Sequence, residues 1–140
     1  MMFLNETEPH FDPKLLNPLS LAYMGDAVLE IYIRAHLLKT QAGKPHRLHR
    51  EATRYVSAKA QSAALQKLKD ELTENETWFI KRGRNAKSGT TPKNTDLMDY
   101  RNSSGLECLL GYLYLADQRQ RLQELLQKIV AIIEVGDNDE

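Results

Sequence analysis

An all-α fold is predicted by three observations. Apolar residues recur at spacings of three and four through every long segment, no segment alternates apolar and polar residues as a half-buried strand would, and capping residues, prolines and glycines punctuate the chain at helical intervals. Length and composition add that this is one domain: 140 residues with 41% hydrophobic and 27% charged suffice for one core, not for two. The core is expected over about residues 15–134 of the single unit 1–140, with flexible ends.

The first helix opens at Asn17-Pro18, an N-cap followed by a proline that has no N–H to lose at the first helical position. It is almost wholly apolar and runs to about Lys39, ahead of Gly43. Its polar residues Asp26, Glu30 and Arg34 recur every four positions and form one narrow stripe. A second helix follows Lys44-Pro45, with Leu48, Ala52, Tyr55 and Val56 on one face and Arg47, Arg50 and Arg54 on another. Ser57 restarts the chain as a third helix through Leu68. Thr73-Glu74-Asn75-Glu76 is a capping box ahead of Trp78, Phe79 and Ile80. That helix runs into a basic segment and ends before Ser88 to Asn94, an exposed loop with Gly89 and Pro92. A further helix spans about Ser103 to Ala116. The last, about Gln120 to Glu134, repeats Leu122, Leu125, Leu126, Ile129, Val130 and Ile133 and can pack within the domain or across a dimer.

Nineteen basic residues balance nineteen acidic ones, so net charge points to no partner and only the distribution is informative. The segment from Lys81 to Asn94 holds five Lys/Arg and no acid; Glu134 to Glu140 holds four acids and no base and reads as a solvated tail. The lone Cys108 excludes an internal disulfide framework and reads as a core residue. The polar N-terminus is no secretory signal and no segment reaches the roughly twenty apolar residues of a membrane span, so a cytoplasmic location is expected.

The chemistry lies in Leu21-Ala22-Tyr23-Met24-Gly25-Asp26-Ala27-Val28-Leu29-Glu30, which sets two carboxylates four residues apart in an apolar helix, and in Leu106-Glu107-Cys108-Leu109-Leu110-Gly111-Tyr112-Leu113, which sets a third in similar surroundings. Burying an unpaired charge is costly, so these acids should face a cation, a partner or a cleft. Gly25 adjoins Asp26 and Gly111 lies one turn from Glu107, so a crossing of the two helices can bring the carboxylates together. Mutual repulsion there is relieved by a hard divalent cation with oxygen ligands, magnesium above all. On spacing alone, pairing of Glu30 with Arg34 and hydrogen bonding of Asp26 or Glu107 to neighbouring groups accounts for the same residues equally well.

Leu21 to Glu30 resembles the signature helix of the ribonuclease III family, and Leu106 to Leu115 its second acidic helix. Val56-Ser57-Ala58-Lys59 and the run from Lys81 to Asn94 are similar to the short bacterial Mini-ribonuclease III branch, and the likeness extends over roughly residues 15–130. The resemblance implies a homodimeric, magnesium-dependent endoribonuclease, with manganese able to substitute, that cuts double-stranded RNA in the maturation of precursor large-subunit ribosomal RNA. It implies a nuclease domain without an appended double-stranded-RNA-binding domain. By position, Asp26 matches the catalytic aspartate and Glu107 the metal-bridging glutamate, with Glu30 supporting them one turn along. The larger members carry an acid four residues before the aspartate and another three before the glutamate; this chain has Ala22 and Ser104. Ser104 can still hold a metal-bound water through its hydroxyl, but adds no charge, so weaker metal binding is expected.

The same resemblance makes the basic segment an RNA-binding element, with Lys81, Arg82, Arg84, Asn85, Lys87, Ser88, Thr90, Thr91 and Lys93 as candidate contacts. Lys and Arg offer phosphates charge, and Asn, Ser and Thr offer neutral donors. Duplex RNA is read through shape, phosphates and 2′-hydroxyls, which suits such a loop and limits sequence discrimination. Arg47, Arg50 and Arg54 rank below it, as solubilising charge. His46 and His49 have no companions for a zinc set, and Trp78 and Phe79 read as packing. Two rivals lack the reaction: a catalytically weak RNA-binding or ribosome-assembly module of the same fold, and a helical protein-interaction adaptor that needs neither metal nor RNA.

Overall fold

The computed structural model describes residues 11–41, 43–86 and 91–138; within them the chain forms six α-helices and two short 3-10 turns, and no strand. The helices are α1 Pro18–Thr40, α2 Pro45–Val56, α3 Ala58–Leu68, α4 Glu74–Asn85, α5 Leu97–Leu115 and α6 Arg119–Asn138. The 3-10 turns are Pro13–Leu15 and Lys69–Glu71.

The caps read from the sequence are present. Asn17 Oδ1 accepts from Leu19 N at 2.8 Å, with Pro18 at the first helical position. Ser57 takes an extended backbone conformation that breaks the chain between α2 and α3, and its Oγ accepts from Ala60 N at 3.2 Å. In the capping box, Thr73 Oγ1 accepts from Glu76 N at 3.1 Å and Glu76 Oε1 accepts from Thr73 N at 3.0 Å. Glu76 is then used twice, because the Arg121 guanidinium donates to both of its carboxylate oxygens, at 2.8 and 2.9 Å, and ties α4 to α6. This ion pair holds the Glu76 carboxyl below the usual carboxylate range.

Two expectations are corrected. The helix carrying Glu107 begins at Leu97, not near Ser103: Asp96 Oδ1 caps it by accepting from Asp99 N at 3.0 Å, and Asn102, Ser103 and Ser104, whose polarity suggests a loop boundary, lie buried inside it. Asn102 Nδ2 donates across to Ser62 Oγ on α3 at 2.9 Å, and Ser103 Oγ donates to the Tyr100 carbonyl one turn back at 2.8 Å. The last helix runs on to Asn138, and Glu134 is no part of a solvated tail. Its Oε2 lies 2.8 Å from both His36 Nε2 and Tyr55 OH, pinning α6 to α1 and α2.

α5 is the axis of the domain. α1 crosses one side of it, α4 and α3 cover the others, α2 leans on α1, and α6 closes the far side against α3 and α5. The core is a single cluster in which Leu21, Leu29, Ile33 and Leu37 of α1 meet Leu106, Leu109, Leu110 and Leu113 of α5, with Phe79 of α4 and Leu122, Leu125 and Ile129 of α6. Phe79 stacks on Tyr112 with ring centroids 3.8 Å apart. Trp78 departs from the packing expected of it: 43% exposed, it lies between the Arg82 guanidinium, 4.8 Å from its ring centroid, and Lys14 Nζ, 5.5 Å away.

The α1–α5 crossing requires glycine at two points. A Cβ on Gly25 would fall 1.8 Å from the Glu107 carbonyl oxygen, and one on Gly111 would fall 1.9 Å from that of Leu21. Backbone on both sides cannot yield as a side chain could. Gly25→Ala and Gly111→Ala should therefore each cost more than about 3 kcal/mol or abolish folding. Gly136→Ala, in α6 with open space around it, should instead stabilise by about 0.5–1 kcal/mol. Urea denaturation of the three variants checks the contrast.

Candidate active site

The glycine crossing brings Asp26 and Glu107 together. Gly25 puts the α1 backbone against the α5 backbone at Glu107 itself, so the side chain one residue later on α1 emerges beside the α5 carboxylate. The two acids differ in surroundings. Asp26 is exposed, whereas Glu107 is sunk into the groove between α1, α3 and α5. Burial raises the Glu107 carboxyl to about 7, a hydrogen bond from Gln61 works against that rise, and the nearby Asp26 charge adds to it. Asp26 is also raised, first by burial and then by repulsion from Glu30.

Glu30 reaches Arg34 at 3.3 Å along the helix, as the four-residue spacing allows, but its second oxygen, Oε2, is buried without a hydrogen-bond partner. The Glu30–Arg34 pairing that the spacing allows is thus present, and Glu107 likewise accepts a hydrogen bond from a neighbouring side chain, Gln61. Ala22 and Ser104 are both buried. Among the described residues no group of three or more His, Cys, Asp and Glu is placed to hold a metal, so a cation here would have Asp26 and Glu107 as its charged ligands. The donor pair suits a hard divalent cation: two carboxylates, close enough to repel, one of them desolvated to the point of holding a proton near neutrality. Ser104 lies one turn before Glu107 on α5.

Gln61 was not read from the sequence. It is 1% exposed on α3, and its Nε2 donates to Glu107 Oε2 at 3.0 Å and to the Val56 carbonyl at 2.9 Å. The one available signal is a long amide in the small-residue run Ala58-Lys59-Ala60-Gln61-Ser62-Ala63-Ala64, which a solvent-facing position explains equally well.

The basic segment divides. Lys81 and Asn85 are exposed near the end of α4, and Thr91 and Lys93 are exposed beyond it. Arg82 and Arg84 are half-buried: Arg82 Nη2 donates to the Leu16 carbonyl at 3.4 Å, and the Arg84 Cγ packs where Gly105 lacks a side chain. Lys87, Ser88 and Thr90 lie outside the described residues. Arg47, Arg50, His46 and His49 are exposed on α2, and Cys108 is fully buried, with its thiol pushed up to about 11 by burial.

The raised Glu107 carboxyl has a consequence for stability. Its unfolded value is 4.5 and its folded value about 7, so between these the folded protein binds more protons than the unfolded one and loses stability as pH rises. Below pH 4.5 the depressed Glu76 and Glu134 carboxyls act in the opposite sense, losing their stabilisation as pH falls. In chelator the protein should therefore be most stable near pH 5 and weaken toward pH 8, by roughly 3 kcal/mol at most for full desolvation. Glu107→Gln should flatten that decline in a pH series of chemical denaturation.

The Ribonuclease III domain family matches residues 19–118. The Mini-ribonuclease 3 of Staphylococcus aureus is 47% identical over 131 residues, 92% of this chain and 96% of that protein. The Mini-ribonuclease 3 of Enterococcus faecalis is 50% identical over 131 residues, 92% of this chain and 98% of that protein. The X-ray structure of a Fusobacterium nucleatum protein superposes with a TM-score of 0.76 at 28% identity, covering 86% of this chain and 96% of that one. The matched span contains α1, the glycine crossing and both acids; the chain belongs to the ribonuclease III family and is an endoribonuclease of that family.

Proposed function

We propose that this endoribonuclease cuts double-stranded RNA as a magnesium-dependent homodimer, with Asp26 and Glu107 as its catalytic and metal-binding residues. The observation that carries the reading is the juxtaposition of these two acids at a crossing so tight that only glycine fits at Gly25. Magnesium, or manganese in its place, supplies a lowered water pKa and a positive charge for the departing phosphate oxygen when bound. The chain's own part is to hold two oxygen ligands at fixed separation, Asp26 on a short side chain fixed by α1 and Glu107 on a longer one held in a groove of α3 and α5. Glu30, one turn along from Asp26, adds negative charge beside the pair, and Ser104 has a hydroxyl able to hold a metal-bound water. With no acid at Ala22 or Ser104, metal affinity falls below that of relatives with four carboxylates.

Duplex RNA fits the distribution of charge. Lys81, Asn85, Thr91 and Lys93 present phosphate-binding groups at the end of α4 and after it. Arg82 and Arg84, tucked under that surface, supply positive potential more than direct contact. Lys87, Ser88 and Thr90 belong to the same proposed element. Precursor large-subunit ribosomal RNA, in the cytoplasm, is the substrate that likeness to the Mini-ribonuclease III branch favours. No helix among the described residues is long and apolar enough to cross a membrane.

The homodimer is supported by α1. Tyr23 is 83%, Ile31 57% and Leu38 61% exposed, and with exposed Ala27 and Ala35 they form one apolar face beside the acids that no other described residue covers. A twofold contact along it sets two hydrolytic centres in one assembly, matching the approximate symmetry of a duplex. Contiguous apolar exposure of this kind marks interaction surfaces.

Two experiments test the proposal. Asp26→Asn and Glu107→Gln keep size and hydrogen-bonding capacity but remove charge, and should each cut duplex cleavage at least 100-fold while leaving helicity and most RNA binding intact, a range of about 3 kcal/mol in the barrier. Added magnesium should partly restore Glu107→Gln but not Asp26→Asn. Folded Asp26→Asn cutting at the wild-type rate excludes the mechanism; RNA binding by the wild type without cleavage assigns the RNA-binding module instead. Separately, Ile31→Glu should give a folded monomer by light scattering with cleavage reduced at least tenfold, and a fully active monomer would rule out the dimer.

A further inference from the structure

We infer that Gln61 is a positioning residue of the catalytic centre, acting through Glu107 to hold it as a metal ligand; this rests on the reading of Asp26 and Glu107 given above. Three observations carry it. Gln61 is among the most deeply buried polar side chains, 1% exposed, and its Nε2 meets Glu107 Oε2 at 3.0 Å across the α3–α5 interface. The same nitrogen donates to the Val56 carbonyl at 2.9 Å, the last turn of α2 before the Ser57 break. The Val56 carbonyl can only accept, so the amide faces it, and with it Glu107, with its NH2, and its orientation is set by chemistry.

The arrangement restrains Glu107 from behind. A glutamate side chain on a helix has three rotatable bonds, and one left free in a groove would sample orientations in which its oxygens point away from Asp26. The Gln61 bond fixes Oε2, and the Val56 carbonyl fixes Gln61 in turn, so the restraint is anchored in backbone. One helical position along, Ser62 Oγ accepts from Asn102 Nδ2 at 2.9 Å and sets the register of α3 on α5 independently. Gln61 is therefore not needed merely to hold the two helices together. The remaining oxygen, Gln61 Oε1, is buried with no hydrogen-bond partner, an arrangement packing alone would not favour.

A group whose only task was to join helices would leave metal binding unaffected on removal. A group orienting a ligand lowers metal affinity typically 10- to 100-fold when lost. Gln61→Met keeps the length and bulk of the side chain and removes both donors. Calorimetric titration of RNA-free protein with Mn2+ alone should give a dissociation constant at least tenfold higher for Gln61→Met than for wild type. Ser62→Ala, which removes the neighbouring link, should leave it within twofold. In cleavage assays Gln61→Met should need about tenfold more magnesium for half-maximal rate, with most of kcat recovered at saturating metal. Gln61→Asn, which keeps the amide but cannot span both partners, should weaken Mn2+ similarly and covers the case in which Gln61→Met fails to fold. Wild-type Mn2+ affinity in a folded Gln61 variant overturns the inference, while the metal site itself stands. Wild-type protein that binds no Mn2+, or Asp26→Asn that binds it undiminished, overturns the metal site and this inference with it.

Discussion

The placing of Asp26 beside Glu107 depends on how closely α1 and α5 approach. Two glycines, Gly25 and Gly111, remove the side chains that would separate the helices, and each lets a backbone carbonyl of the partner occupy the vacated space. The approach is reciprocal, the Glu107 carbonyl lying over Gly25 and the Leu21 carbonyl over Gly111, so tilt and register are fixed at two points one helical turn and more apart. A pair of carboxylates follows directly from that register, because Asp26 succeeds one glycine and Glu107 supplies the carbonyl that meets it. The placing of these two acids is a consequence of main-chain packing before any side chain is considered.

Close approach carries an electrostatic cost. Burial disfavours the charged form of Glu107, and the adjacent Asp26 disfavours it further; together they outweigh the Gln61 hydrogen bond and leave the carboxyl titrating near neutrality. The fold offsets this elsewhere, through the Glu76–Arg121 pair between α4 and α6 and through Glu134, which gathers His36 and Tyr55 at the other end of α6. These two links anchor the helix that backs the core, and both rely on carboxylates whose proton affinity is lowered. One acid is thus kept costly at the site while others stabilise the scaffold.

The sequence made the helices legible where their ends carry their own chemistry. Asn17-Pro18, Ser57 and Thr73 to Glu76 mark α1, α3 and α4 because each cap is a local hydrogen bond between residues two or three apart. The glycines beside the acids likewise announced a close crossing. The start of α5 was misplaced because Asn102, Ser103 and Ser104 are polar for a tertiary reason, the Asn102–Ser62 link, and nothing near them in the chain indicates it. Glu134 and Gln61 were missed on the same ground: His36 lies 98 residues from Glu134 and Glu107 lies 46 from Gln61, and long-range pairing leaves no local pattern.

The basic segment separates composition from use. Read as a string, Lys81, Arg82 and Arg84 are equivalent phosphate ligands, but α4 presents them to different surroundings. Lys81 faces solvent, Arg82 lies over Trp78 with one amine toward the Leu16 carbonyl, and Arg84 covers Gly105. A guanidinium stacked on an indole keeps its charge and loses its freedom, so it contributes to the field of the surface without reorganising when phosphate arrives. Gly105 belongs to a second glycine pair, with Gly83, that draws α4 onto α5 as Gly25 and Gly111 draw α1. The same device, used twice along one helix, sets the acids on the α1 flank of α5 and the cations on its α4 flank, which lets the proposed centre and its substrate-binding surface share a single rigid support.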